Sequence, residues 1–176
     1  PSGRADWFYR GSVLYAVKDY PGAIDCFCMM GERRDSIGQI ANYQLGYCYI
    51  QTKNKVAALN AFYSAAAFSF DPKIKEDSYF NYAKLAFDLN NDSSVFSDYL
   101  DLYSDTAKGE RIYSYIAVAA LHDRDYAGAV EAYGKIDYLD GDMRSNYMKA
   151  NYLRAEQLIR RGSYRSAIPC LKIAAY

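Results

Sequence analysis

One short pattern recurs along the chain: Tyr20-Pro-Gly-Ala-Ile-Asp-Cys-Phe, Val56-Ala-Ala-Leu-Asn-Ala-Phe, Tyr126-Ala-Gly-Ala-Val-Glu-Ala-Tyr and Tyr164-Arg-Ser-Ala-Ile-Pro-Cys-Leu. Each copy sets a small residue four positions before a large one: Ala23 with Phe27, Ala58 with Phe62, Ala129 with Tyr133 and Ala167 with Leu171. A degenerate copy, Val95 with Tyr99, falls between the second and the third. The small residues at 23, 58, 95, 129 and 167 are spaced by 35, 37, 34 and 38. A period of this length marks an array of stacked supersecondary units. Two helices of a hairpin approach closely only where a small side chain leaves room, and the large residue one turn later fills the adjoining gap.

Upstream of each pair lies a second helical stripe. It is clearest in Leu45, Gly46 and Tyr49, and Trp7, Gly11 and Leu14 repeat it earlier. Taken together, Trp7 with Gly11, Leu45-Gly46-x-x-Tyr49, Ala58-x-x-x-Phe62 and Ala65 resemble the tetratricopeptide repeat (TPR), whose period is about 34 residues. The resemblance runs from about residue 4 to residue 175, with Ala83, Ala117 and Ala155 standing where the glycine would be. It implies an all-α fold: a right-handed α-solenoid of about five TPR-like helix-turn-helix repeats, over about 4–35, 37–72, 75–108, 110–143 and 145–176, within a single domain 1–176.

Breakers and caps predict helices over 4–17, 21–31, 37–51, 54–68, 75–89, 92–104, 110–122, 126–136, 145–161 and 164–175. Asp71-Pro72, Lys108-Gly109 and Asp140-Gly141 read as turns between repeats, and Pro169 is expected to kink the last helix.

Lys plus Arg and Asp plus Glu both number 21, so no excess of either sign exists to hold nucleic acid or an anionic membrane. The aromatic content is 20 Tyr, 8 Phe and 1 Trp, beside only 4 Pro. That balance suits packed amphipathic helices, since Tyr buries a ring while keeping a wet hydroxyl. No apolar run approaches the ~20 residues of a membrane span, so the chain is expected to be soluble. Its ends, at Pro1-Ser-Gly and just after the run Leu171 to Ala175, are compatible with a piece of a longer protein whose targeting signal has been removed. The compartment stays open between the cytoplasm and the periplasm or cell envelope.

Chemistry has little to work with. His122 is the single histidine, at a predicted helix end, and one imidazole without further ligands does not hold zinc. Cys26 and Cys28 point about 200 degrees apart on a helix, too far round for a shared metal or an ordinary bridge. With Cys48 and Cys170 they read as small buried hydrophobes. Gly31, Gly38 and Gly46 lack phosphate-loop spacing, and Asp137, Asp140 and Asp142 lack that of a calcium loop. The expectation is a chain that is not an enzyme, with no cofactor and no metal.

What remains is a second apolar stripe on the first helix of each hairpin. Tyr43, Tyr47 and Ile50 follow i, i+4, i+7 spacing and point nearly opposite Leu45. Phe80, Lys84 and Phe87 repeat this between Asp77 and Asp88, as do Phe8, Ser12 and Tyr15. Further on come Ser114, Val118 and Leu121 with His122, then Tyr152, Glu156 and Ile159. In the resembled family these faces line the concave groove that takes extended peptides or partner helices. The resemblance therefore implies ligand-binding roles for Phe8, Tyr15, Tyr43, Tyr47, Ile50, Phe80, Lys84, Phe87, Val118, His122 and Tyr152.

Packing between neighbouring hairpins is the competing use of the same residues, with Tyr47 and Phe80 favoured for the groove. A carboxylate clamp of the family type is not expected, because Lys84 alone is basic near the middle of this face. An aromatic groove points to an apolar or Pro-rich peptide, or an amphipathic helix. The expected function is a non-catalytic scaffold for a protein or peptide partner, and the chain resembles bacterial repeat proteins in its Tyr richness. The alternatives are an architectural module that self-associates through the apolar C-terminal run, and an accessory recognition domain of a larger enzyme.

Overall fold

A computed structural model describes residues 3–104 and 107–175. Among these residues the structure is all-helical: α1 (Arg4–Ala16), α2 (Tyr20–Cys28), α3 (Ser36–Gln51), α4 (Lys55–Ala66), α5 (Pro72–Asn90), α6 (Ser94–Tyr103), α7 (Ala107–His122), α8 (Tyr126–Gly134), α9 (Gly141–Arg160) and α10 (Tyr164–Ala174). Contacts group the chain into two compact units, Pro1–Tyr99 and Leu100–Tyr176. In the first unit successive helices from α1 to α5 pack on one another, and the odd-numbered helices also touch, α1 on α3 and α3 on α5. In the second, α7 packs on α8, α8 on α9 and α9 on α10.

Each hairpin reverses through a residue in the left-handed region: Lys18, Lys53, Asn91, Arg124 and Gly162, with φ of 65°, 60°, 52°, 60° and 76°. Four turns share a further bond. The N–H of the following residue reaches back five positions at 2.8 Å, from Asp19 to Leu14, Asn54 to Tyr49, Asp125 to Ala120 and Ser163 to Leu158. This is the Schellman closure, which satisfies carbonyls that a helix end leaves unpaired. The residue after the turn then caps the second helix: Asp19, Asn54 and Asp125 accept from the N–H of Gly22, Ala57 and Gly128. Aspartates cap first helices too, namely Asp35, Asp71 and Asp140.

These caps move two helix starts from their expected places. The Asp71-Pro72 and Asp140-Gly141 dipeptides, read from the sequence as turns, are each a cap followed by the first helical residue, so α5 and α9 begin earlier than 75 and 145. Proline suits that first position because its missing N–H would have had no partner there. Lys108-Gly109 likewise lies inside α7. α10 continues through Pro169 at the cost of one backbone hydrogen bond.

The core follows the small-large pattern. A Cβ placed on Gly11 would come within 2.7 Å of the Phe27 ring, and one on Gly46 within 2.6 Å of the Phe62 ring. Both glycines exist to let an aromatic of the second helix lie flat against the backbone of the first. Ala83, Ala117 and Ala155 stand at the equivalent positions and are fully buried. Phe27, Phe62, Tyr99 and Tyr133 are buried as the period requires, whereas Leu171 of the fifth pair is 40% exposed.

Candidate interaction face

The residues expected to line a groove fall into two sets. Unit one carries Phe8 and Tyr15 on α1, Tyr43, Tyr47 and Ile50 on α3, and Phe80, Lys84 and Phe87 on α5. Unit two carries Val118 and His122 on α7 and Tyr152 on α9.

Within unit one, an aromatic of each first helix leans on the large aromatic of its own second helix. Ring centroids lie 6.5 Å apart for Phe8 with Phe27, 6.3 Å for Tyr43 with Phe62 and 5.9 Å for Phe80 with Tyr99. The expectation for Phe80 is corrected here: it is 3% exposed, covered by Tyr99, and belongs to the core. The i, i+4 spacing that nominated it is the same whether that stripe faces solvent or the partner helix. Phe8 and Tyr43 are half-buried by the same contact, Tyr15 sits edge-on to Tyr20 at 6.2 Å, and Phe87 packs 5.5 Å from Phe96. Lys84 holds its ammonium 4.9 Å from the Phe80 ring centroid.

Between α3 and α5 the face is organised by Asp77. The hydroxyls of Tyr43 and Tyr47 both donate to its Oδ2 at 2.7 Å. Asn81 Nδ2 donates to the same oxygen at 3.3 Å and to the Tyr47 hydroxyl at 3.3 Å. The two tyrosine rings stand perpendicular to each other, centroids 5.1 Å apart, and Tyr47 is perpendicular to Phe62 at 5.2 Å. Burial first, and then the hydrogen bond to the Asp77 carboxylate, push both phenols well above the usual tyrosine range. Both stay neutral donors at physiological pH. A second tie, Ser12 Oγ to Gln44 Oε1 at 3.2 Å, joins α1 to α3. Ile50, one turn beyond Tyr47, is 36% exposed beside this cluster.

In unit two Val118 and Tyr152 are exposed on α7 and α9. His122 lies in the last turn of α7 with Nδ1 3.3 Å from Asp123 Oδ1. The four cysteines are free thiols, and Cys28 departs from the buried expectation: it is exposed, with Sγ 3.7 Å from the Tyr49 hydroxyl. Among the described residues no three metal-ligating side chains come together, and no helix is long and apolar enough to cross a membrane.

The hairpin turns, the glycine-aromatic wedges and the order of helix contacts define an all-α, TPR-like helical-repeat fold. Solved structures with the same fold include the crystal structure of MamA protein, 13% identical over 97% of this chain and 89% of that one, with a TM-score of 0.60. A second, of MamA AMB-1, is 12% identical over 98% of this chain and 96% of that one, with a TM-score of 0.55. No family model matches the sequence, and no curated protein matches it.

Proposed function

We propose that the chain is a non-catalytic protein-interaction scaffold, and that unit one receives a protein or peptide segment on the shared face of α1, α3 and α5. The observation that carries this reading is the double donation of Tyr43 and Tyr47 to one oxygen of Asp77. Those bonds hold two aromatic rings at the junction of two hairpins before any partner arrives, which lowers the ordering cost of binding. Half-buried Phe8, Tyr15 and Phe87 extend the apolar surface, and Ile50 supplies an exposed side chain near the C-terminal end of α3. An apolar or Pro-rich segment, or the apolar face of a helix, matches such a surface. Val118 and Tyr152 offer a separate, smaller contact in unit two.

The test is partner capture from the source organism's lysate by wild type, Ile50→Asp and Val56→Asp, each shown by circular dichroism to keep its helix content. Val56 is exposed on α4 and serves as the control. Proteins retained by wild type and Val56→Asp but lost by Ile50→Asp support the reading; equal retention by all three removes it.

A second reading rests on α10, where Tyr164, Ile168 and Leu171 form one exposed stripe at i, i+4, i+7. Such a stripe suits self-association of an architectural module. Light scattering on wild type and Leu171→Glu over a range of concentrations tests it: a larger mass that falls to the monomer in the variant supports assembly through α10, and a monomeric wild type rejects it.

A further inference from the structure

Unit one also contains a cavity of about 440 Å³, within the size range of ligand-binding pockets. It uses the other side of α3: Gly38, Ala41, Asn42 and Leu45 line it, a stripe lying about 150 degrees round the helix from Tyr43, Tyr47 and Ile50. The connection after α2 and the last turns of α4 close it. Space exists there because Ala41 and Ala67 are small and because the connection turns sharply at Gly31, whose φ is +68°. Phe27, Met30 and Phe68, all buried, make the floor apolar.

The rim is cationic. Arg34 lies over the Phe68 ring at 5.2 Å and donates to the Ala67 carbonyl at 3.1 Å, so its guanidinium is fixed at the edge. Arg4 pairs with Asp35 at 2.7 Å, while its buried Nε has no hydrogen-bond acceptor among the described residues. Arg33 reaches Asp35 only at 3.7 Å, and its side chain is 75% exposed. Asp35 is already committed to Arg4 and to the N–H of Gly38. Three guanidinium groups thus surround an apolar floor, and Glu32 is the one carboxylate among the lining residues.

We propose that this cavity docks an extended acidic segment of a partner protein: an apolar side chain enters over Phe27, Leu45 and Phe68, and a neighbouring Asp or Glu pairs with Arg33. Guanidinium groups match carboxylates in a two-pronged geometry, and their hydrogen bonds are charge-assisted. The apolar floor selects against a bare anion, and the arginine rim selects against an apolar segment flanked by Lys.

The experiment uses short fluorescein-labelled peptides carrying Leu or Phe between two Glu, and a matched series with Lys in place of Glu. Binding is read by fluorescence anisotropy. The acidic series is expected to bind wild type and the Lys series is not. Arg33→Glu, a surface change, should weaken binding about tenfold or more by reversing the rim charge, and Ala67→Leu should weaken it similarly by filling the mouth. Ile50→Asp should leave it unchanged, which separates this pocket from the aromatic face. Absence of binding by the acidic series, equal binding by the Lys series, or unchanged affinity in both pocket variants would each overturn the proposal.

Discussion

The backbone N–H of Asp71 donates to Gln39 Oε1 at 2.8 Å across the boundary between two hairpins. The same side chain gives its Nε2 hydrogens to the carbonyls of Phe68 at 3.0 Å and of Ala65 and Asp71 at 3.3 Å. Gln39 is fully buried, so one amide satisfies the Phe68 carbonyl and both backbone polar groups of Asp71 in the α4–α5 connection, and it ties them to the end of α4 at Ala65. Gln39→Leu keeps the approximate volume and strands those groups, which should cost about 2–4 kcal/mol. Urea denaturation of wild type and variant measures this, and a loss below about 0.5 kcal/mol would show that water replaces the amide freely.

Alkaline pH should destabilise the Tyr43–Tyr47–Asp77 cluster. An unfolded tyrosine ionises near pH 10, while in the fold both phenols are held neutral to higher pH, first by burial and then by Asp77. The unfolded chain therefore releases these protons first. Their contribution is fully present below about pH 10 and is lost as pH climbs toward the folded values. The urea midpoint should fall over that interval, and in the Tyr43→Phe, Tyr47→Phe double variant it should start lower and decline less steeply.

Lys53 and Arg124 hold a left-handed conformation that costs a residue with a Cβ about 1–2 kcal/mol. Lys53→Gly or Arg124→Gly should raise stability by about 0.5–1 kcal/mol once the greater freedom of glycine in the unfolded chain is subtracted. Lys149→Gly, at an exposed position inside α9, should instead lose about 1 kcal/mol. Opposite signs for the same substitution, read by thermal melts, isolate the turn geometry as the cause.

Gly46→Ala adds one carbon against the face of Phe62. Alanine favours the helix by about 1 kcal/mol, but overpacking costs about 1–3 kcal/mol, so the variant should be less stable than wild type. Phe62→Leu alone opens space and also destabilises. Combined with Gly46→Ala it should recover part of the loss, giving a coupling energy of about 1 kcal/mol in a double-mutant cycle. Strict additivity would show that the two residues do not meet.

The helical hairpins were legible because their signal is repeated, and the pairs from Ala23–Phe27 to Ala129–Tyr133 reinforce one another. Cap chemistry blurred the edges: Asp71-Pro72 and Asp140-Gly141 look alike as a turn or as a helix start. The interaction face was legible only as a stripe. Phe80 and Tyr43 occupy the same register, yet Phe80 is buried and Tyr43 is held at its hydroxyl by Asp77. That difference arises from residues on other helices. Gln39 gave no periodic signal at all, and the cavity beside Arg33 is made of absent volume at Ala41 and Ala67, which no motif encodes.

The left-handed turns at Lys18, Lys53, Asn91, Arg124 and Gly162 are each closed by bonds within a few residues of sequence. A hairpin therefore carries the instructions for its own reversal and needs no later part of the chain to begin folding. Ribosomes release about 5–20 residues per second, so each pair of helices has seconds to close while helix formation takes about a microsecond. Growth in the order of synthesis, with every finished hairpin presenting a template to the next, is built into the spacing of five backbone dihedrals.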